Sequence, residues 1–283
     1  MTDCRKVPIH LGVSALAGVL SLGISAQAGG AAPARGIPDF TGFWAHGVTQ
    51  IVFQPIPGQP SPVIDVLNVE CTPDCPPRVG GTPFIGDYSN PILTPAAADA
   101  VRTMGERWRS EGAVNAATEL CMPSGVPHVL TIFAPVQFLQ EEDMITVLYQ
   151  RDMQVRRVHL NAGHSENLKP SWYGESVGHY EGDLLVVDTI GLDSRSIVDR
   201  FGAPQTEATH VVERYRIIDG GNALLAHVTV EDPDTFTTAW SGTITYNRNR
   251  NTRVISEEIC AENNKDAATG EDYPIPIDAS PDF

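Results

Sequence analysis

Basic residues are scarce in this chain: 19 lysines and arginines stand against 35 aspartates and glutamates in 283 residues, a formal net charge of −16. No local basic patch offsets that field. Nucleic acid and anionic membrane surfaces are therefore excluded as partners, since both are polyanions. Also missing are a strand–glycine loop–helix unit for dinucleotides, a C-x-x-C-H haem attachment site and a Walker lysine loop. No nucleotide cofactor is expected, and the chemistry is read as needing no cofactor at all. With 42% hydrophobic and 19% charged residues, the chain is neither a disordered segment nor a membrane bundle.

Cysteine is sparse, and its placement goes with the N-terminus. Arg5 and Lys6 precede an uncharged apolar run from Leu11 to Ile24, and Ala26-Gln27-Ala28 supplies a small-residue cleavage site. Residues 1–28 thus read as a signal peptide cleaved before Gly29, with a permanent anchor helix as the alternative. The run is too short for a membrane span, so the expected location is periplasmic or secreted, free of the membrane after cleavage. Cleavage removes Cys4 and leaves Cys71, Cys75, Cys121 and Cys260. In an oxidising compartment four cysteines suggest two disulfides, with three connectivities open. A local clip between Cys71 and Cys75 would leave Cys121 and Cys260 to close a loop of about 139 residues, worth about 5 kcal/mol in chain-entropy terms. The competing reading of Cys71 and Cys75, a metal site, lacks a second close pair.

Proline is unevenly spread. Of 22 prolines, 15 fall between Pro33 and Pro135 and three between residues 136 and 260. Residues 29–120 are therefore read as a loop-rich wrapping segment. One helix is expected in it near 94–109, where Thr94 caps, Pro95 takes the first helical position, and Ala97, Val101, Met104 and Trp108 share a face. From residue 136 the period shortens to that of strands. The runs are Val136–Gln140, Met144–Gln150, Val155–Asn161, Ser176–Tyr180, Leu184–Thr189, His210–Ile218, Ala223–Glu231, Phe236–Tyr246 and Arg253–Cys260. Turn residues separate several of them, and no helix intervenes. The expected fold is mainly β: an antiparallel meander over 121–262 closing into a lipocalin-like barrel, because closure removes exposed edges, followed by a tail at 263–283. A β-sandwich is the alternative. Gly42-Phe43-Trp44 is similar to the G-x-W of the first strand of lipocalin-like barrels.

A second resemblance covers residues 120–265. Cys121-Met122-Pro123-Ser124-Gly125-Val126-Pro127, Arg156-Arg157-Val158-His159, the run from Gly174 through His179-Tyr180-Glu181-Gly182-Asp183 to Thr189, Val212-Glu213-Arg214 and Cys260-Ala261-Glu262-Asn263 carry it. Together they resemble a large group of exported bacterial proteins with the pattern R-R-I-Y/H, then G-H-S-x-G-x-W-E-G-D-T-L-V-V-D-T, then C-x-E-N. No reaction comes with the resemblance. This chain departs from the pattern at Glu175, where the group has histidine, and at Leu184, where it has threonine.

Gly174-Glu175-Ser176-Val177-Gly178 also satisfies the G-x-S-x-G of serine hydrolases, whose serine sits on a turn leading into a helix. Here a hairpin at Glu181-Gly182-Asp183 follows instead, so the glycines are read as relieving crowding in a strand. Metal binding is weighed because His159, His164, Glu166, Glu175, His179, Glu181, Asp183 and Asp188 fall within 30 residues. Along one strand, however, Glu175 and His179 would stand about 13 Å apart at ~3.3 Å per residue. No metal is expected unless separate strands assemble a site.

In the hairpin Met144–Asn161, pairing Gln150 with Val155 places Ile145, Val147, Tyr149, Arg156, Val158 and Leu160 on one face, with Tyr149 opposite Arg156. Either Arg156 bridges Asp188 or Glu213, or Arg156 and Tyr149 form the polar end of an apolar ligand cavity. A three-residue loop at Glu181–Asp183 puts Ser176 opposite Asp188, with Glu175, Val177, His179, Leu185 and Val187 on the other face. The resulting expectation is an enzyme of lyase or isomerase type. It would perform acid–base chemistry (elimination, hydration, isomerisation or retro-aldol cleavage) on a small hydrophobic molecule, aromatic ones included. Tyr149 and Arg156 would hold the anion, and Glu175, His179 and Asp188 would transfer protons. His164, Trp172 and Tyr173, on the loop Asn161–Tyr173, would cover the barrel mouth and touch substrate. The alternatives are a lipocalin-like carrier of a hydrophobic ligand and a metal-dependent or serine hydrolase.

Overall fold

The computed structural model describes residues 36–47, 50–66, 84–111 and 121–260. The expected signal segment 1–28, the Cys71–Cys75 pair and the tail 263–283 lie outside the described residues. Ten strands follow one another: β1 (Gly42–Ala45), β2 (Gln54–Pro55), β3 (Val136–Gln140), β4 (Met144–Tyr149), β5 (Val155–Leu160), β6 (Glu175–Glu181), β7 (Leu184–Ile190), β8 (His210–Ile218), β9 (Ala223–Glu231) and β10 (Trp240–Arg248). Strict alternation sets their two faces. In β5 every second residue is buried and the others are exposed, and β4, β8 and β9 alternate in the same way.

The sheet closes on itself. β1 pairs with β3 through Gly42↔Phe138 and with β10 through Trp44↔Arg248, so β1 and β3 through β10 form a nine-stranded barrel, with β2 hydrogen-bonded to β10 alone. This is the mainly β, lipocalin-like barrel expected from the strand pattern. One pair departs from the meander: β5 and β6 run parallel, with Val158 beside Ser176. A parallel neighbour cannot be reached by a tight turn, so the chain between them, residues 161–174, must travel back along the barrel before β6 begins.

Two expected strands differ. Arg253–Cys260 forms none. β10 begins at Trp240 rather than Phe236, because Asp232 turns the preceding chain: its backbone carbonyl accepts from Phe236 N at 2.7 Å and its carboxylate from Thr206 N and Thr209 Oγ1. The helix α1 (Pro95–Glu111) starts where Thr94 and Pro95 place it, with Thr94 Oγ1 accepting from Ala97 N at 3.4 Å. Ala97 and Val101 are buried in the same apolar cluster as the barrel interior. Among the described residues no helix is long and apolar enough to cross a membrane.

Inside the barrel Ile145, Val147, Val158, Leu185 and Val187 are at most 3% exposed. They belong to one buried apolar cluster. The segment Ser124–Thr131, which precedes β3, is wholly buried. Neighbouring loops and β10 fasten it: Ser196 Oγ donates to the Ser124 carbonyl at 2.7 Å, Val126 N to the Trp172 carbonyl at 3.1 Å, and the Tyr246 hydroxyl to the Leu130 carbonyl at 3.2 Å. Cys121, just before this segment, is disulfide-bonded to Cys260 across 139 residues. Replacing both by serine is expected to lower stability by about 2–5 kcal/mol; urea denaturation of the oxidised protein and the double variant measures it.

Candidate functional site

The residues nominated from the sequence separate into three places. Tyr149 and Arg156 face inward, Glu175, Asp188 and His164 gather on the outer wall, and His179 stands apart with Glu181.

Arg156 is 3% exposed and Glu213, on β8, is fully buried. The guanidinium donates through Nη1 to Glu213 Oε1 at 3.1 Å, through Nη2 to Glu213 Oε2 and to Thr189 Oγ1, and through Nε to Ser176 Oγ at 3.0 Å. The Tyr215 hydroxyl donates to Glu213 Oε1 at 2.8 Å. Burial alone would lower the guanidinium, but the charge and hydrogen bonds of Glu213, together with the phenols of Tyr149 and Tyr215, outweigh it and drive Arg156 well above its ordinary value. Of the two readings of Arg156, the carboxylate bridge is the one formed, and its partner is Glu213. Tyr149 is buried, its phenol raised by that burial, with its ring 5.8 Å from that of Tyr173.

Both hairpin registers differ from expectation. Arg156 pairs with Val147, and Val155 with Leu148, because the turn Arg151–Met153 is a short 3-10 helix closed by Tyr149 N donating to the Gln154 carbonyl at 2.8 Å. That two-residue shift keeps every side chain on its predicted face. The second correction does not. Glu181 pairs with Leu184 across a two-residue turn with Gly182 at φ +63°, so Ser176 lies opposite Thr189, and Val177 opposite Asp188. A one-residue slip exchanges faces. Leu185, Val187 and Thr189 therefore turn inward with Ser176, while Asp188 joins Glu175 and His179 outside.

This register also decides the G-x-S-x-G motif. Ser176 is 2% exposed and hydrogen-bonded to Arg156 and Thr189, deep in the barrel rather than on a nucleophile turn. Gly174 has φ +60°, and a Cβ there would strike the Ile190 carbonyl, so glycine is needed for close approach.

On the outer wall the loop 161–174 lays His164 between two strands. Its Nδ1 lies 3.1 Å from Glu175 Oε2 on β6, and its Nε2 lies 3.0 Å from Asp188 Oδ1 on β7. Asp188 Oδ1 also meets Nε2 of His210, at the start of β8, at 3.0 Å. Glu175 takes two further bonds from Ser165, from its backbone N at 2.8 Å and its hydroxyl at 2.5 Å. A carboxylate only accepts, so with both acids ionised the two His164 bonds are made together by the doubly protonated ring. All four side chains remain partly open to solvent, from 21% for His164 to 39% for Asp188. Hydrogen bonds from Ser165 hold the Glu175 carboxyl below its ordinary value. Burial would raise Asp188, but the hydrogen bonds and charges of His164 and His210 more than offset it and hold this carboxyl low as well.

His210 is the member that sequence reasoning missed. Its signal was present: Asp188 pairs with Val212, so His210, two residues earlier on β8, is a diagonal neighbour on the same face. His179 reaches only Glu181, at 2.9 Å, and both are more than half exposed. Trp172 lies under the Arg195 guanidinium, 4.8 Å from ring centroid to Cζ. No protein-family model matches the chain, and no curated protein matches it.

Two outcomes are expected. Arg156→Met strands Glu213 in the interior and costs about 3–5 kcal/mol, whereas Arg156→Met with Glu213→Leu recovers most of that loss; a denaturation cycle over the single and double variants measures both. The acid side of stability follows from the lowered carboxyls. Groups depressed on folding stabilise above their unfolded pKa, and that contribution is lost as pH falls through the folded one. Asp188→Asn should therefore flatten the decline in melting temperature below pH 3.8, the ordinary aspartate value.

Proposed function

We propose that this chain is an exported enzyme, periplasmic or secreted, that moves protons on a small hydrophobic molecule, aromatic ones included. The reaction class is elimination, hydration, isomerisation or retro-aldol cleavage, with no cofactor called for. One observation carries the reading: four titratable side chains, Glu175, His164, Asp188 and His210, form an unbroken hydrogen-bonded chain on the barrel wall while staying open to solvent. A proton can enter or leave at either end, and each ring nitrogen of His164 faces a carboxylate oxygen. The interior offers no equivalent, since the Arg156 charge is matched by Glu213 and the inward side chains are packed. Tyr149 and Arg156 hold no anion in this reading, and proton transfer rests on Glu175 and Asp188 with the two histidines. Trp172, half-buried on the same loop as His164, supplies apolar surface for a substrate ring.

The test is incubation of the exported chain with a pool of small aromatic and aliphatic compounds, followed by mass spectrometry of both the free pool and the native protein. A compound converted to a defined product is expected. His164→Gln and Asp188→Asn should each slow that conversion by about 10²–10⁴-fold, and His179→Gln should leave it within about twofold. Retention of a compound unchanged on the protein would make the chain a carrier instead. Full turnover by both relay variants would remove the relay from the reaction.

A further inference from the structure

Arg200 stands in unusual surroundings for a cation in so acidic a protein. Its Nε donates to the Ile51 carbonyl at 2.9 Å and to the Thr131 carbonyl at 2.7 Å, and its Nη2 donates to Thr131 as well. Nη1 makes no hydrogen bond to the described residues. The guanidinium lies over the Phe84 ring, 5.1 Å from its centroid. Among the described residues no carboxylate pairs with Arg200 or acts on its charge. Burial first, and then the positive charge of Arg151, lower it to about 10. Arg151 itself is bonded to Glu258 at 2.8 Å, so its charge is matched. Net charge makes this distribution informative: in a chain of −16, the half-buried guanidinium meets carbonyls, the Phe84 ring and another cation, and no carboxylate among the described residues compensates it.

Two imidazoles lie within electrostatic reach of Arg200. His128 is fully buried and neither ring nitrogen closes a hydrogen bond, although the Ser124 carbonyl is near enough to pull the ring up slightly. Burial, followed by Arg200 and Arg151, pushes it down to about 3, so the ring is neutral and keeps one N–H to donate. His46 is also buried: its Nδ1 meets the Thr245 carbonyl at 3.1 Å, while its Nε2 has no partner. A buried polar atom without a partner is costly. His128 carries two of them, and the cation that acts on it, Arg200, has no counterion among the described residues.

We propose that Arg200 and His128 form a binding site for a small carboxylate with an apolar body. The planar guanidinium fork matches a carboxylate, and the neutral imidazole can donate a further hydrogen bond to it. The apolar part of the ligand is assigned from the surface alongside. Phe84 underlies the guanidinium, and Phe133, two residues beyond the Thr131 carbonyl that Arg200 holds, is 58% exposed. A single unmatched cation suits a monoanion better than a phosphate dianion. Arg200 lies on the connection between β7 and β8 and His128 on the segment before β3, and neither is a member of the wall relay.

Calorimetric titration and thermal melting of the full chain test the assignment, with benzoate as the probe and benzamide as its uncharged isostere. Benzoate is expected to bind and raise the melting temperature; benzamide at equal concentration is expected to do neither. Arg200→Gln should weaken benzoate at least tenfold, with Arg200→Lys intermediate because a lysine lacks the fork. Arg102→Gln, which alters an exposed arginine on α1 bonded to Asp99 and Glu106, should change nothing. Equal binding of benzamide and benzoate, or undiminished benzoate binding by Arg200→Gln, overturns the site. Tighter binding of inorganic phosphate than of benzoate overturns the carboxylate assignment. Should Arg200→Gln fail to fold, the benzoate–benzamide comparison on the native chain decides alone.

Discussion

Closure of the sheet through β1 is the constraint from which the rest follows. Four residues, Gly42 to Ala45, bond to β3 on one side and to β10 on the other. Once that seam is made, every strand of the ring has an inside and an outside, and each side chain is assigned to one by alternation. Trp44, the bulkiest residue of β1, is fully buried, and the Arg248 guanidinium lies 4.1 Å above its ring. The seam is thus fastened by apolar burial and a cation–π contact as well as by backbone hydrogen bonds. Closure also removes two edges that would otherwise offer unpaired N–H and C=O groups.

Ionisable groups are sorted by that same inside and outside. Within the ring, Arg156 and Glu213 neutralise each other and take Tyr215, Ser176 and Thr189 as further partners, leaving the pair few unmet hydrogen-bonding positions. On the wall, histidines and carboxylates are linked in series and wet. The first arrangement is an ion pair closed off from water. The second is built from histidines and acids, whose charge changes with a single proton. Chemistry that needs protons to come and go belongs to the second kind.

Much of the architecture was legible in the sequence. Period-two runs marked the strands, Thr94 and Pro95 marked the start of the helix, and Cys121 with Cys260 marked the long closure. The site was legible only in its members. Glu175, Asp188 and His164 stood out as polar residues in apolar or aromatic surroundings, but their meeting depended on one turn being two residues long rather than three. Nothing in Glu181-Gly182-Asp183 distinguishes those lengths, and a single step reverses the faces of β7. The parallel pairing of β5 and β6 was equally hidden, since strand order is a long-range property while propensity is local. Arg200 and His128 gave no signal, because what marks them is seen only in the fold: among the described residues one meets no carboxylate and the ring nitrogens of the other close no hydrogen bond.

The disulfide and the barrel seam share an arrangement with consequences in time rather than in space. The seam joins the first strand to the last, and Cys260 lies beyond both. A chain emerging from its N-terminus therefore completes neither closure until nearly all of the described sequence is available. Until then the sheet has two unpaired edges and Cys121 lacks the partner it has in the fold. Premature pairing with another chain, or mispairing of that thiol, would compete throughout. Those hazards end together, when β10 docks on β1 and the late cysteine comes within reach of the early one.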